Sequence, residues 1–352
     1  MSRRISMVST MSSASSDIFD AWWGWPPPVL DPAGPYAENV VVLAWALIGM
    51  GVVVTAIVVA ALYVAIKGPA RWKAKLGGEK AVWIGGIALP GVVLTTLLVW
   101  GLTLTASLTE PVPENAMRVR VTGYMWWFEV EYLDADGDVI IRDANELHLP
   151  VGEPVVVELA SEDVIHSFWV PNLSGKEDMI PGRMNELVIQ ADRAGRYGGV
   201  CAEYCGGPHA LMGFVTVAHG RADWNAWVAG RRGSPTEVAD QDSPGVVPAI
   251  TPPVAQETAP GGLSGRQVFM DSGCGACHRV AGTEANGLVG PDLTHVGSRL
   301  TLGAGILPNN RGTMIGWIGD SQSIKPGNRM PSYDMLSAEE LEAIAIWLER
   351  QR

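Results

Sequence analysis

The sequence predicts a multidomain protein: a two-helix transmembrane hairpin, then an all-β sandwich, then a small all-α domain. Three observations predict it. Residues 39–66 and 81–109 carry no charge, and each run exceeds the roughly 20 residues that a spanning helix needs. From residue 117 the pattern changes to short β-rich runs bounded by Gly, Pro and Asp turns. The last residues, from Ser337 to Glu349, read as a capped amphipathic helix.

The membrane reading agrees with the bulk composition. Only 18% of the 352 residues are charged and 14 are Trp, a balance unusual for soluble domains. Residues 1–38 carry Arg3 and Arg4 but no apolar run, so they do not read as a cleavable signal peptide, and export rests on the hairpin of residues 39–110. Gly and Pro90 within the second run are tolerated in a lipid-embedded helix. Between the runs, Lys67, Arg71, Lys73, Lys75 and Lys80 face the single acid Glu79, and such short basic loops stay cytoplasmic. The N-terminal segment and everything after residue 110 are then expected outside.

The β-rich domain spans residues 111–230, with strands expected over Arg118 to Gly123, Trp127 to Tyr132, Pro154 to Leu159, Asn185 to Ile189 and Gly213 to Val217. It holds 8 Lys/Arg against 18 Asp/Glu, a net charge of −10 that attracts basic partners and excludes nucleic acid. Residues 231–262, rich in Pro, Gly, Ser and Thr, read as a flexible linker. The C-terminal domain, residues 263–352, holds 8 basic and 9 acidic residues, net −1. A short helix from Leu263 to Ser272 leads to Cys274. The closing helix opens on Ser337-Ala-Glu-Glu340, a capping box, and Leu341, Ile344, Ile346 and Trp347 give it an apolar face.

The four Cys form two tight clusters, Cys201 with Cys205 and Cys274 with Cys277, a spacing of metal or haem sites and not of a disulfide framework. Cys201-Ala-Glu-Tyr-Cys205-Gly-Gly-Pro-His209-Ala-Leu-Met212 sets two thiols, an imidazole and a thioether close together, and His166 lies upstream at the end of an expected strand. Thiolate and imidazole suit zinc or copper, and the thioether favours copper. Zinc would take Cys201, Cys205, His209 and His166 alone. A single blue copper needs one Cys, whereas two allow both sulfurs to bridge two coppers. His148 and His219 fall outside the motif and read as surface or strand-end residues.

These residues, with Ser161-Glu-Asp-Val-Ile-His166-Ser-Phe-Trp-Val-Pro171 and Lys176 to Arg183, resemble cytochrome c oxidase subunit II over roughly residues 35–228. The resemblance implies a cupredoxin-like sandwich and a binuclear CuA centre. Its ligands would be His166, Cys201, the backbone carbonyl of Glu203, Cys205, His209 and Met212. It also implies a magnesium ion on the Glu203 carboxylate at the contact with subunit I, and it matches Trp126 to the exposed tryptophan where electrons enter. Packing of these aromatics at a membrane interface is the competing reading of Trp126. Quinol-fed relatives lack the copper ligands, which disfavours that role.

Cys274-Gly-Ala-Cys277-His278 is the attachment motif of c-type haem, in which both thiols form thioethers and the His binds iron. Gly290-Pro-Asp-Leu-Thr and Asn328-Arg-Met330-Pro331 resemble class I cytochrome c and imply Met330 as the second axial ligand, with Met314 and Met335 as competitors. A Met/His pair raises the haem potential. Together the parts resemble caa-type haem-copper oxidases, in which cytochrome c is fused to subunit II. That implies partners in subunits I and III, an external donor such as a cytochrome c, and a bacterial inner membrane with both cofactor domains on the periplasmic side. The family's proton-channel pattern, Glu-x-x-Trp-Thr-x-x-Pro, is not matched by the spacing of Glu79, Trp83 and Pro90, so no proton role passes to Glu79. The rival functions are a copper subunit of a nitric oxide or nitrous oxide reductase and a copper-delivery protein.

Overall fold

The computed structural model of the protein describes Trp22 and residues 26–107, 113, 115–232 and 262–352. The expected linker lies almost wholly outside the described residues, as does most of the N-terminal segment.

Helix α1 (Pro35–Lys67) opens on Pro35, at the position where a missing N–H costs no helical bond. The basic loop contains a short helix, α2 (Ala70–Leu76), where an open loop was expected. The second span comprises α3 (Glu79–Trp83), five residues of π-helix (Ile84–Ala88) and α4 (Leu89–Ser107). The widening lies just ahead of Pro90, which has no N–H to close a bond to the Gly86 carbonyl. Of their most apolar stretches only 6% and 0% is buried within the chain. Core helices of a soluble protein would be covered; these leave Val52, Ile57, Leu98 and Val99 exposed, as lipid-facing helices do.

The chain just before α1 is pinned to the next domain. The Ala33 N–H donates to the Asn172 carbonyl and the Asp192 N–H to the Ala33 carbonyl, both at 2.7 Å. The hairpin therefore starts directly beneath the sandwich.

The sandwich has ten strands: β1 (Met117–Tyr124), β2 (Trp127–Leu133), β3 (Val139–Ala144), β4 (Glu146–Pro150), β5 (Val155–Ser161), β6 (His166–Trp169), β7 (Lys176–Met179), β8 (Asn185–Ile189), β9 (Gly195–Cys201) and β10 (Gly213–His219). One sheet runs β3-β2-β1-β5-β8 and the other β4-β10-β9-β6-β7. The five expected runs are β1, β2, β5, β8 and β10. On β1, Val119 and Val121 face the core while Arg118 and Arg120 face out, and both bind Glu158 of the parallel neighbour β5, at 2.8 and 2.9 Å. Phe128, Phe168 and Phe214 fill the space between the sheets, with ring centroids 5.0 and 4.8 Å apart.

After β10 comes a helix the sequence reading did not place, α5 (Arg221–Arg232), whose Trp227 lies 5.1 Å from Tyr132. It also stacks on His148 at 4.4 Å. His148 is therefore buried in mid-strand β4, not a surface residue; its ring nitrogens meet His219 Nε2 at 2.7 Å and Glu146 Oε1 at 3.1 Å, which compensates its burial. His219 does close its strand, as expected.

The C-terminal domain packs α6 (Gly265–Asp271), α7 (Arg311–Gly319), α8 (Ser321–Ile324) and α9 (Ala338–Glu349) around Phe269 and Trp347, whose rings lie 5.0 Å apart. A two-stranded ribbon, β11 (Thr301–Leu302) with β12 (Leu307–Pro308), is added to the helices expected there. The capping box of α9 is formed: Ser337 Oγ accepts the Glu340 N–H, and Glu340 Oε2 accepts the Ser337 N–H at 2.8 Å.

This domain sits on the sandwich. Asp143 of β3 receives Arg299 Nε at 2.7 Å and Arg231 Nη2 of α5 at 3.4 Å, all three side chains being buried. Burial by itself raises the Asp143 pKa, but the two guanidinium charges outweigh it and hold the carboxyl below its ordinary value. Beside this triad, Glu146 Oε2 accepts the Leu300 N–H at 2.6 Å, and the Gly213 N–H donates to the Ala304 carbonyl at 2.9 Å.

Candidate functional site

Strand pairing assembles the first cradle. Cys201 ends β9 and Met212 directly precedes β10; their backbones bond across the hairpin at 2.9 Å, so the intervening loop is held as a compact turn. His166, which begins β6 and does not end a strand, is brought beside it because β6 pairs with β9.

The sulfurs of Cys201 and Cys205 lie 3.7 Å apart. His166 Nδ1 is 3.8 Å from Cys201 Sγ, and His209 Nδ1 is 3.4 Å from Cys205 Sγ. Met212 Sδ stands 3.8 Å from Cys205 Sγ, and the Glu203 carbonyl 3.2 Å from Cys201 Sγ. Each of the six expected donors thus lies within 4 Å of another donor at one of the two sulfurs, with His166, Cys201 and Cys205 converging within 4.8 Å, and six are two more than a tetrahedral zinc site takes. One imidazole per sulfur, with a thioether and a carbonyl beyond them, fits a pair of soft ions better than one. The Cys201 thiol is drawn down to about 3, first by its hydrogen bond with Cys205 and then by His166, while the same bond and burial push Cys205 up. The Glu203 carboxylate accepts the Tyr204 N–H at 3.2 Å.

His166 is aimed by its surroundings. Asp163 Oδ1 lies 2.9 Å from its Nε2 and holds the ring with Nδ1 facing Cys201. Burial tends to raise the Asp163 pKa, but hydrogen bonds from His166 and from the Met125 and Val164 amides bring it below the ordinary value. Gly123 of β1 makes room for the ring, since a Cβ there would stand 2.8 Å from His166 Cδ2.

The second cradle is a cavity of about 1320 Å³, its open mouth included, lined by Cys274, Cys277, His278, Met314 and Met330. His278 Nδ1 donates to the Pro291 carbonyl at 2.8 Å, which leaves Nε2 as the free acceptor. Burial lowers the His278 pKa, favouring the neutral form that binds metal. Gly290 packs against this ring, and a Cβ there would lie 2.6 Å from His278 Cε1. A wide apolar cavity with two thiols and a neutral imidazole at its wall fits a covalently attached haem. Met335 is 72% exposed and does not line the cavity, so the competition for the second axial position narrows to Met330 and Met314.

Trp126 joins the two cradles. Its indole N–H donates to the Cys205 carbonyl at 2.9 Å, and the residue also lines the haem cavity. It is half-buried beneath the C-terminal domain, not exposed: Lys325 Nζ donates to the Trp126 carbonyl at 2.8 Å and to the Gly303 carbonyl at 3.0 Å. Lys325 is 3% exposed, and burial pushes its pKa down to about 7. Arg329 Nη2 lies 3.4 Å from Asp163 Oδ2. Asp143, Asp163, Lys325 and Arg329 were not singled out from the sequence. Asp163, three residues before His166, and Arg329, next to Met330, lie within the motif runs, whereas Asp143 and Lys325 carry no local signal.

Residues 117–219 match the family model described as cytochrome c oxidase subunit II, periplasmic domain, and residues 263–351 match that of cytochrome c. The chain is 34% identical over 330 residues to cytochrome c oxidase subunit 2 of Alkalihalophilus pseudofirmus, covering 91% of this chain and 89% of that one. It is 33% identical to cytochrome c oxidase subunit 2 of Bacillus sp. strain PS3, over 67% of this chain and 62% of the relative. Among solved structures, the periplasmic domain of subunit II of cytochrome oxidase from Bradyrhizobium japonicum aligns at 28% identity and TM-score 0.32, over 35% of this chain and 97% of that one. The chain therefore belongs to the cytochrome c oxidase subunit II family, in the form that carries a cytochrome c domain after the copper domain.

Proposed function

We propose that this chain relays electrons from a covalent c-type haem to a binuclear CuA centre and on to subunit I, where oxygen is reduced to water and protons are pumped. When bound, the haem and the copper pair each supply a one-electron carrier outside the membrane. Cys274 and Cys277 would tether the haem, with His278 and Met330 on its iron. His166, Cys201, the Glu203 carbonyl, Cys205, His209 and Met212 would hold the copper pair.

The observation that carries this reading is the place of Trp126, which lines the haem cavity and hydrogen-bonds the carbonyl of Cys205. One residue thus touches both cradles.

The wider assignments go with this reading. Residues 39–110 cross the bacterial inner membrane twice, with the basic loop from Lys67 to Lys80 in the cytoplasm. Residues 111–230 and 263–352, joined by 231–262, stand in the periplasm. Subunit I, and subunit III beside it, are the membrane partners; an external donor such as a cytochrome c loads the haem; and the Glu203 carboxylate holds magnesium against subunit I.

The test is made on the assembled complex. One covalently attached haem on this chain, an EPR signal whose hyperfine splitting is shared by two coppers, and oxygen uptake with a reduced donor are expected. Haem that reduces in stopped flow without passing its electron to copper, or failure to consume oxygen, would reject the proposal.

A further inference from the structure

The two cradles meet through one short loop, residues 325–330. Lysine is rarely buried, because removing an ammonium from water is costly unless it is well bonded. Lys325 nevertheless lies buried where the domains touch and divides its bonds between them, one to the Gly303 carbonyl of its own domain and one to the Trp126 carbonyl across the interface. Trp126 in turn bonds the carbonyl of Cys205. At the other end of the loop Arg329, next to Met330, meets Asp163, whose other oxygen holds the His166 ring. Asp163 Oδ2 also accepts the Met125 N–H at 2.8 Å, so both links grip the same turn of the sandwich.

The loop between the links is braced. The Asn328 amide donates to the carbonyls of Ser321 and Lys325 at 3.0 and 2.8 Å, and its Oδ1 accepts the Met330 N–H at 2.8 Å. Asn328 thereby ties the backbone of Met330 to that of Lys325, so that Met330 and both cations share one braced loop.

We infer that Lys325 and Arg329 are positioning residues for electron transfer between the two cradles: through Trp126 and Asp163 they fix the Met330 loop against the supports of Cys205 and His166. This rests on the relay proposed above. The step they serve moves one electron from the haem side to the copper side; no bond is made or broken and no proton moves. The Asp143 triad closes the interface elsewhere, whereas among the described residues this loop is the one that ties the neighbourhood of an expected iron ligand to residues beside expected copper ligands.

The test uses the assembled complex, oxidised and then mixed rapidly with a substoichiometric reduced mediator, with haem and copper followed by absorbance. Lys325→Met and Arg329→Gln are expected to slow transfer by about tenfold each, as small misplacements of reacting groups do. Lys325→Arg is expected to restore most of the rate. The slowing must exceed whatever the measured haem and copper potentials account for; a rate within twofold of the unsubstituted complex, or one explained by potentials alone, overturns the inference. If Lys325→Met does not assemble, Arg329→Gln, at a side chain 53% exposed, carries the same prediction. Hydrogen exchange of the Met125 amide gives a readout independent of electron flow: Arg329→Gln is expected to speed it, and unchanged protection removes the Arg329 link. Absence of transfer in the unsubstituted complex would remove the relay reading itself.

Discussion

Arg299 of the cytochrome c domain and Asp143 of the copper domain, 156 residues apart in the chain, meet at 2.7 Å with both side chains buried. Arg231 at 3.4 Å completes a triad in which one carboxylate answers two guanidinium groups. Removing the carboxylate leaves two cations in a low-dielectric seam, a far larger penalty than the net worth of an exposed pair.

Asp143→Asn is therefore expected to cost about 3–5 kcal/mol, the usual loss on breaking a buried pair. Thermal unfolding of the detergent-solubilised chain, with haem and copper loaded, measures it. A change below 1 kcal/mol would show that water reaches the seam and screens it.

The His219 pKa is pushed down to about 4, first by burial and then by neighbouring His148. The folded chain thus prefers the neutral ring, and the unfolded chain takes up the extra proton. Stability from this group is fully present above pH 6.5 and is lost as pH falls from there toward 4. His219→Asn is expected to flatten the slope between those limits, measured as the difference from the unsubstituted chain so that the carboxylates cancel. An unchanged slope would count against the burial of this ring.

Asp163 and Gly123 support the His166 ring without supplying a donor to the proposed copper site. Asp163→Asn is expected to weaken copper binding by about 10- to 100-fold, the usual effect of removing a carboxylate that orients a ligating imidazole. Gly123→Ala puts a methyl group against the His166 ring and is expected to lower copper retention while leaving haem content intact. Competition with a chelator of known affinity reads both. Full retention in both variants would mean that the ring needs no external support.

The methionines separate by redox titration. Met330→Leu is expected to lower the haem midpoint potential, because loss of a thioether ligand destabilises the reduced iron. Met335→Leu, at an exposed position, is expected to leave it unchanged. If Met314→Leu lowers it and Met330→Leu does not, the axial assignment moves to Met314.

The features legible in the sequence are those whose chemistry lies within a few residues of itself. Cys201, Cys205, His209 and Met212 share one hairpin loop, and Cys274, Cys277 and His278 one turn, so spacing alone displays both clusters. The membrane spans are legible because lipid demands uninterrupted apolar length. Strands β7 and β9 were not, since Lys176-Glu-Asp-Met179 and Gly195-Arg-Tyr-Gly-Gly-Val-Cys201 lack the apolar alternation by which a strand is recognised. His148 looked like a surface residue because nothing local announces that Trp227, 79 positions on, will cover it. Lys325 and Arg299 are ordinary surface types by composition; their burial is created by docking, a relation between distant segments that no window along the chain contains.

On the relay proposed above, the covered position of Trp126 sets a kinetic order. A donor that must diffuse to copper delivers its electron in a bimolecular encounter, at a rate set by its concentration and screened by salt. A haem cradle already seated on Trp126 would make the same delivery unimolecular, with an effective concentration that dilution of the protein does not change. Copper reduction is then expected to reach a ceiling that neither donor abundance nor ionic strength moves, while the loading of the nearly neutral cytochrome c domain alone responds to the supply outside.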